Sequence, residues 1–270
     1  MYVTSDLKTP PDAQFADALF GRLTEARRLI DAAHGGATAG RVGSIAIAPG
    51  GSVRLAPGTD SEQALFALDG GGAILVEGKR RSVEVGSAVF VPGGRSIRIE
   101  AEGQPLRFLL IQRDPPRAGD PGMWPGAATQ APVLVVPPDE IDSVPFHKPE
   151  LGFHHVAARW LVNAETAQSE ALIVGQSTFV PGGAHLLHRH DRAEEFFFVI
   201  EGTGVHLVDG REIAMAPGDI VFTARDEWHG FRNTGDRPVR AVFGYFGASQ
   251  LEAAGYEVHA DVAATARAAK

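Results

Sequence analysis

The feature that most constrains the fold is an internal repeat. Displaced by 132 residues, the chain falls on itself without a gap: Val42-Gly43 meets Val174-Gly175, Pro49-Gly50-Gly51 meets Pro181-Gly182-Gly183, and Val89-Phe90 meets Val221-Phe222. Between these points Gly70, Gly72, Gly78 and Gly86 coincide with Gly202, Gly204, Gly210 and Gly218. Repeats of one module at a fixed offset indicate two copies of one structural unit. The shared residues are those that set tight turns, and the segments between them (ALFAL, AILVE, SAVFV; FFFVI, GVHLV, DIVFT) are short, apolar and rich in Val, Ile and Phe. Short strands between glycine turns predict an all-β protein of two tandem antiparallel barrels or jelly rolls.

Flanking the repeats, Phe15, Leu19, Leu23, Leu29 and Ile30 are spaced for an amphipathic N-terminal helix over residues 11–34. Residues 114–150 are proline-rich and read as an irregular connector, and the Ala-rich tail beyond Ala248 is expected to end in a helix. The expected organisation is therefore a helical segment at 1–38, barrel one at 39–113, the connector at 114–150, barrel two at 151–250 and the tail at 251–270.

Composition narrows the function. With a net charge of −8 and only the short run Lys79-Arg80-Arg81 as a basic cluster, nucleic acid is not an expected partner, and that run reads as a hairpin turn. The chain has no cysteine, which removes disulfides, thiolate metal sites and cysteine nucleophiles. No apolar run approaches a membrane span and the first residues lack a leader pattern, so a soluble cytoplasmic protein without membrane contact is expected. Serine-hydrolase elbows, phosphate loops and dinucleotide fingerprints are absent.

The chemistry-bearing residues lie in GGAHLLHRHDRAEEFFFVIEGTG and, some thirty residues on, in EWHGFRN. Strand alternation puts His188 and His190 on one face with Arg189 on the other. Glu195 shares a face with Phe197 and Val199, and His229 opens a later strand, so four nitrogen and oxygen ligands can converge if these strands are neighbours. This pattern resembles the cupin superfamily. Its first motif is matched by Gly182, His188, His190, Glu195 and Gly202; its second by Gly218, His229 and Asn233, with Ala224 in place of Pro and Asp226 in place of Gly. The resemblance implies a two-barrel cupin whose second barrel holds one divalent ion through His188, His190, Glu195 and His229. Glu194 competes with Glu195 for the carboxylate role, but it is echoed by Glu62 in a repeat that carries Ala56, Gly58, Gln63 and Ile97 where the ligands would stand, which suits a structural role.

Three imidazoles and a carboxylate suit Fe, Mn, Ni, Cu, Co or Zn, without a choice among them, and leave coordination positions open on a six-coordinate ion. Phe197 and Phe231 are candidate substrate-pocket residues, with Trp228 also flanking His229. Tyr245 is a candidate acid or hydrogen-bond donor, and Glu194 a second catalytic candidate. His185 and His206 read as surface or hydrogen-bonded residues, and one of His154 and His155 as a possible relay. What the resemblance implies is an enzyme acting on a small molecule that chelates through oxygen, first of all a dioxygenase-type oxidoreductase. A redox-neutral hydrolase, isomerase or decarboxylase, similar in layout to the ureidoglycine aminohydrolases, is the alternative, and a non-catalytic binding protein a third. It also implies a homodimer.

Overall fold

A computed structural model describes residues 1–17, 20–21, 23–115, 130–208 and 210–268. Among them, strands account for nearly all regular structure and every strand pairing is antiparallel. The first barrel is built from two sheets. One orders Phe20–Gly21, Ser52–Leu55, Ile97–Ala101, Gly71–Val76 and Lys79–Glu84; the other orders Leu134–Val136, Ala88–Val91, Glu62–Asp69, Leu106–Arg113, Gly40–Ile47 and Leu23–Ile30. In the second barrel the long strand Leu172–Arg189 runs through both faces. It pairs with Val239–Phe246 along its first half, with Phe153–Val162 along most of its length and with His229–Arg232 toward its end.

The in-phase glycines explain why the repeat is visible at all. Gly70 and Gly202 both have φ of 79°, and Gly86 and Gly218 both have φ of 89°, a region that side-chain-bearing residues rarely enter. The hairpin at Gly78 carries the basic run as expected, with Arg80 paired to Glu100 and Glu102.

The apolar runs lack strict alternation because each central strand is buried on both faces. In Glu194–Glu201, Phe197 and Val199 join the core of barrel two, whereas Phe196 and Phe198 pack between the barrels. In the matching strand, Leu65 and Ala67 face the core of barrel one, and Ala64 and Phe66 face the junction.

The junction is also stitched by exchange. Tyr2–Ser5 adds to the edge of Asp219–Thr223 in barrel two, with Tyr2 opposite Phe222, and Leu134–Val136 adds to Ala88–Val91 in barrel one, with Leu134 opposite Phe90. These two pairings are related by the same offset as the repeat, so each copy lends its first strand to the other. Two buried carboxylates repeat the symmetry. Glu194 accepts from Thr38 N at 2.9 Å, Thr38 Oγ1 at 2.6 Å and Ala39 N at 2.9 Å; Glu62 accepts from Glu170 N at 2.9 Å, Ser169 Oγ at 2.9 Å and Ala171 N at 3.2 Å.

Two expectations are corrected here. The N-terminal helix covers only Ala13–Asp17; Leu23–Ile30 is a strand on the edge of Gly40–Ile47, with Leu29 and Ile30 buried between the barrels. Its register shifts between Leu23 and Glu25 and again between Arg28 and Ile30. Such bulges break the two-residue alternation and leave an apolar spacing that mimics a helix. Leu19 lies outside the described residues. The connector is likewise less irregular than its prolines suggested, since Leu134–Val136 and Val144–Lys148 are both strands. Its stretch from residue 116 to residue 129 lies outside the described residues. The tail ends in the helix Ala260–Ala268 as anticipated, after a short strand, Glu257–Val258, that pairs with His188 and Arg189. No helix among the described residues is long and apolar enough to cross a membrane.

Candidate metal centre

His188 stands one residue before the end of the long strand, His190 just beyond it, and Glu195 at the second position of Glu194–Glu201. His229 opens the strand His229–Arg232, directly opposite His188 in register. The turn before it keeps its shape despite the loss of glycine, because Asp226 holds φ of 64° where the first repeat has Gly94 at 74°. Aspartate tolerates that region better than most residues.

All four side chains are buried, and their ligand atoms lie within 4.8 Å of one another. Glu195 Oε2 is 2.8 Å from His229 Nε2, 3.3 Å from His190 Nε2 and 4.0 Å from His188 Nε2. The outer nitrogens decide the chemistry. His188 Nδ1 donates to the carbonyl of Leu186 at 2.8 Å, His229 Nδ1 to that of Glu227 at 2.8 Å, and His190 Nδ1 to that of Gly255 at 2.5 Å. A carbonyl only accepts, so each Nδ1 carries the proton; the Nε2 atoms of His188 and His190 turn their lone pairs inward, and that of His229 donates to Glu195 Oε2 until a cation displaces its proton. The Nε2 atoms of His188 and His190 are buried with no hydrogen-bond partner among the described residues. Inward lone pairs beside a carboxylate are what a cation requires.

Electrostatics agree with this arrangement. Burial raises the Glu195 carboxyl, but His229 and His190 beside it outweigh burial and hold it well below the usual carboxylate range. Burial lowers His229, and Glu195 overrides it and raises His229 above the ordinary histidine value. Burial drives His188 well down, so it stays neutral and able to ligate. The cluster fits one divalent metal ion.

Beyond the ligands the site opens into a cavity of about 320 Å³. Its walls carry Phe146, Phe153, Phe179, Phe197, Phe231 and Phe243. Phe197 and Phe231, the candidate pocket residues, both line it. Tyr245 is buried against the cavity with its ring 4.8 Å from that of His190, and burial together with Glu195 keeps its hydroxyl protonated. Glu194 is not in the cavity: it points to the opposite face of its strand and grips Thr38 and Ala39, which corrects its candidacy as a catalytic group. Trp228 is also elsewhere, packed under the Arg189 guanidinium at 4.8 Å. His154 and His155 do not line the cavity; both pack near His147.

Sequence reasoning missed three contributors. A register shift between His185 and His188 brings the His185 ring into a stack 3.7 Å from that of His188. His185 Nε2 donates at 3.0 Å to the hydroxyl of Tyr256, which itself donates to the carbonyl of Leu151. His206, expected at the surface or hydrogen-bonded, is buried in the cavity wall. Only the first of these had a local signal, a histidine three residues from a ligand.

A cupin-domain family model matches residues 175–245, the span that holds all four ligands. Residues 175–245 are a cupin domain. Among curated relatives of this cupin, the oxalate-binding protein of Thermotoga maritima is 27% identical over 101 residues, which is 37% of this chain and 79% of that protein. The tetracenomycin polyketide synthase protein TcmJ of Streptomyces glaucescens is 26% identical over 87 residues, 32% of this chain and 58% of that one. The two-barrel likeness is broader in solved structures. Lactobacillus farciminis oxalate decarboxylase in a formate complex aligns over 98% of this chain and 90% of its own, with a TM-score of 0.70 and 15% identity. The glyoxylate-induced protein of Pseudomonas aeruginosa aligns over 90% and 87%, with a TM-score of 0.66 and 18% identity. At these identities the structures attest the fold.

One consequence concerns Gly255, whose carbonyl orients His190. Gly255 has φ of 70° and ψ of 147°, and a Cβ there would meet Asp191 Oδ1 at 1.7 Å. Gly255→Ala is therefore expected to displace that carbonyl and weaken metal affinity about 10- to 100-fold, as is usual when the outer partner of a ligating histidine is lost. Competition against a chelator measures this; an unchanged affinity would mean that Gly255 plays no part in orienting His190.

Proposed function

We propose that this cupin is a mononuclear metal-dependent enzyme acting on a small, largely apolar organic molecule through a pair of chelating oxygens, with dioxygenase-type chemistry. The observation that carries the reading is the junction of three inward imidazoles and one carboxylate with a phenylalanine-lined cavity. A redox-active ion held by His188, His190, Glu195 and His229 would supply electron transfer between an oxygen-chelating substrate and dioxygen. The residues around it supply the rest. The aromatic walls exclude water and favour planar apolar molecules, and Tyr245, held as the neutral phenol, serves as a hydrogen-bond donor beside His190.

A redox-neutral decarboxylation is the second reading, favoured by the oxalate-binding relative. The cavity lining disfavours it, because its one fixed cation is Lys148 and no arginine is among the lining residues. The free carboxylate of a dicarboxylate would face an apolar wall, which is costly without a paired cation. Oxygen-electrode measurements on iron-loaded protein separate the two. Oxygen uptake with catechol or acetylacetone, and none with oxalate, is expected. Release of carbon dioxide from oxalate without oxygen uptake would replace the first reading with the second.

A further inference from the structure

His206 sits on the strand Gly204–Val208, two residues from Val208, which pairs with the ligand His229. It is 2% exposed, and its ring lies 6.1 Å from that of His229 at an interplanar angle of 13°. It lines the same cavity but does not belong to the ligand cluster. The three ligating histidines each have one nitrogen tied to a carbonyl; neither nitrogen of His206 has a hydrogen-bond partner among the described residues.

A buried imidazole with both nitrogens unpaired destabilises the fold unless something else uses them. Packing does not demand it. At the repeat offset the first barrel places Ile74, fully buried in its core, so the same strand position folds well with an aliphatic residue. A second lone polar group, Ser177 Oγ, is likewise buried in the cavity wall without a partner among the described residues. The cavity thus holds isolated polar points on an aromatic surface, the usual composition of a site that orients one small molecule.

We propose that His206 is a specificity-determining residue that hydrogen-bonds a hydroxyl adjacent to the pair of oxygens through which an aromatic substrate is held at the four-ligand site. A neutral imidazole offers a donor at one nitrogen and an acceptor at the other, and a hydroxyl can pair with either, whereas a carboxylate can pair only with the donor. The substrate class is accordingly an aromatic ring with three neighbouring oxygens. This rests on the metal-site reading given above.

The test compares catechol, which has the chelating pair, with pyrogallol, which adds the third hydroxyl. Both are titrated calorimetrically and without oxygen into manganese-loaded full-length protein, in the wild type, His206→Ile and His206→Gln. The wild type is expected to bind pyrogallol about tenfold more tightly than catechol, the effect of roughly one well-made hydrogen bond. His206→Ile should keep one equivalent of manganese and lose the preference, and His206→Gln, which retains a donor and an acceptor, should recover part of it. A preference absent from the wild type, or surviving in His206→Ile, overturns the assignment. Loss of manganese from both variants also overturns it, by making His206 a support of the ligands. Failure of the wild type to hold manganese is seen before any titration and overturns the underlying metal reading instead.

Discussion

Glu194→Ala will lower the unfolding free energy by about 3 kcal/mol and keep its metal, while Glu195→Ala, one residue on, will keep the fold and lose the metal. The first effect follows from the two backbone N–H groups and one hydroxyl that the Glu194 carboxylate satisfies at the barrel junction. Truncation leaves the buried Ala39 N–H without its acceptor, at about 1–3 kcal/mol for each such group and more when the lost partner was charged. Glu62→Ala should cost at least as much, because Glu62 performs the same service for Glu170 and Ala171 and its charge also offsets the buried Arg113. Urea denaturation followed at the barrel aromatics measures both. A Glu194 variant as stable as the wild type would mean that the latch contributes nothing to the junction.

The second effect follows from charge. Glu195 is the one anionic ligand, and without it three neutral imidazoles remain to hold a dication in a buried site. Losing an outer partner of a ligand already costs 10- to 100-fold in affinity, so losing the carboxylate itself is expected to cost more than about 100-fold. The fold should survive, since the first barrel is built on the same plan with Ala56, Gly58, Gln63 and Ile97 at the corresponding positions.

The contrast between these neighbours marks what the sequence makes legible. The repeat offset follows from the spacing of glycines, and the ligand quartet and the choice of Glu195 over Glu194 from strand alternation together with the cupin motifs and the repeat. The in-phase glycines carry the fold because each reports a backbone angle required at its own position. What spacing did not convey is pairing between distant segments. Nothing in the short strands Tyr2–Ser5 and Leu134–Val136 says that each will join the other copy's sheet. Bulges hid the strand Leu23–Ile30 behind helical spacing and brought His185 onto the face of His188 against simple alternation. Tyr256 reaches the site only because the tail folds back along His188 and Arg189.

His188, His190, Glu195 and His229 are expected to hold one metal ion. Elemental analysis of the full chain purified without added metal, alongside His188→Ala, tests it most directly. About one equivalent of a single transition metal in the wild type, and a small fraction of that in the variant, is the expected result. A wild type without metal, or a His188→Ala variant that retains its full equivalent, would contradict the account.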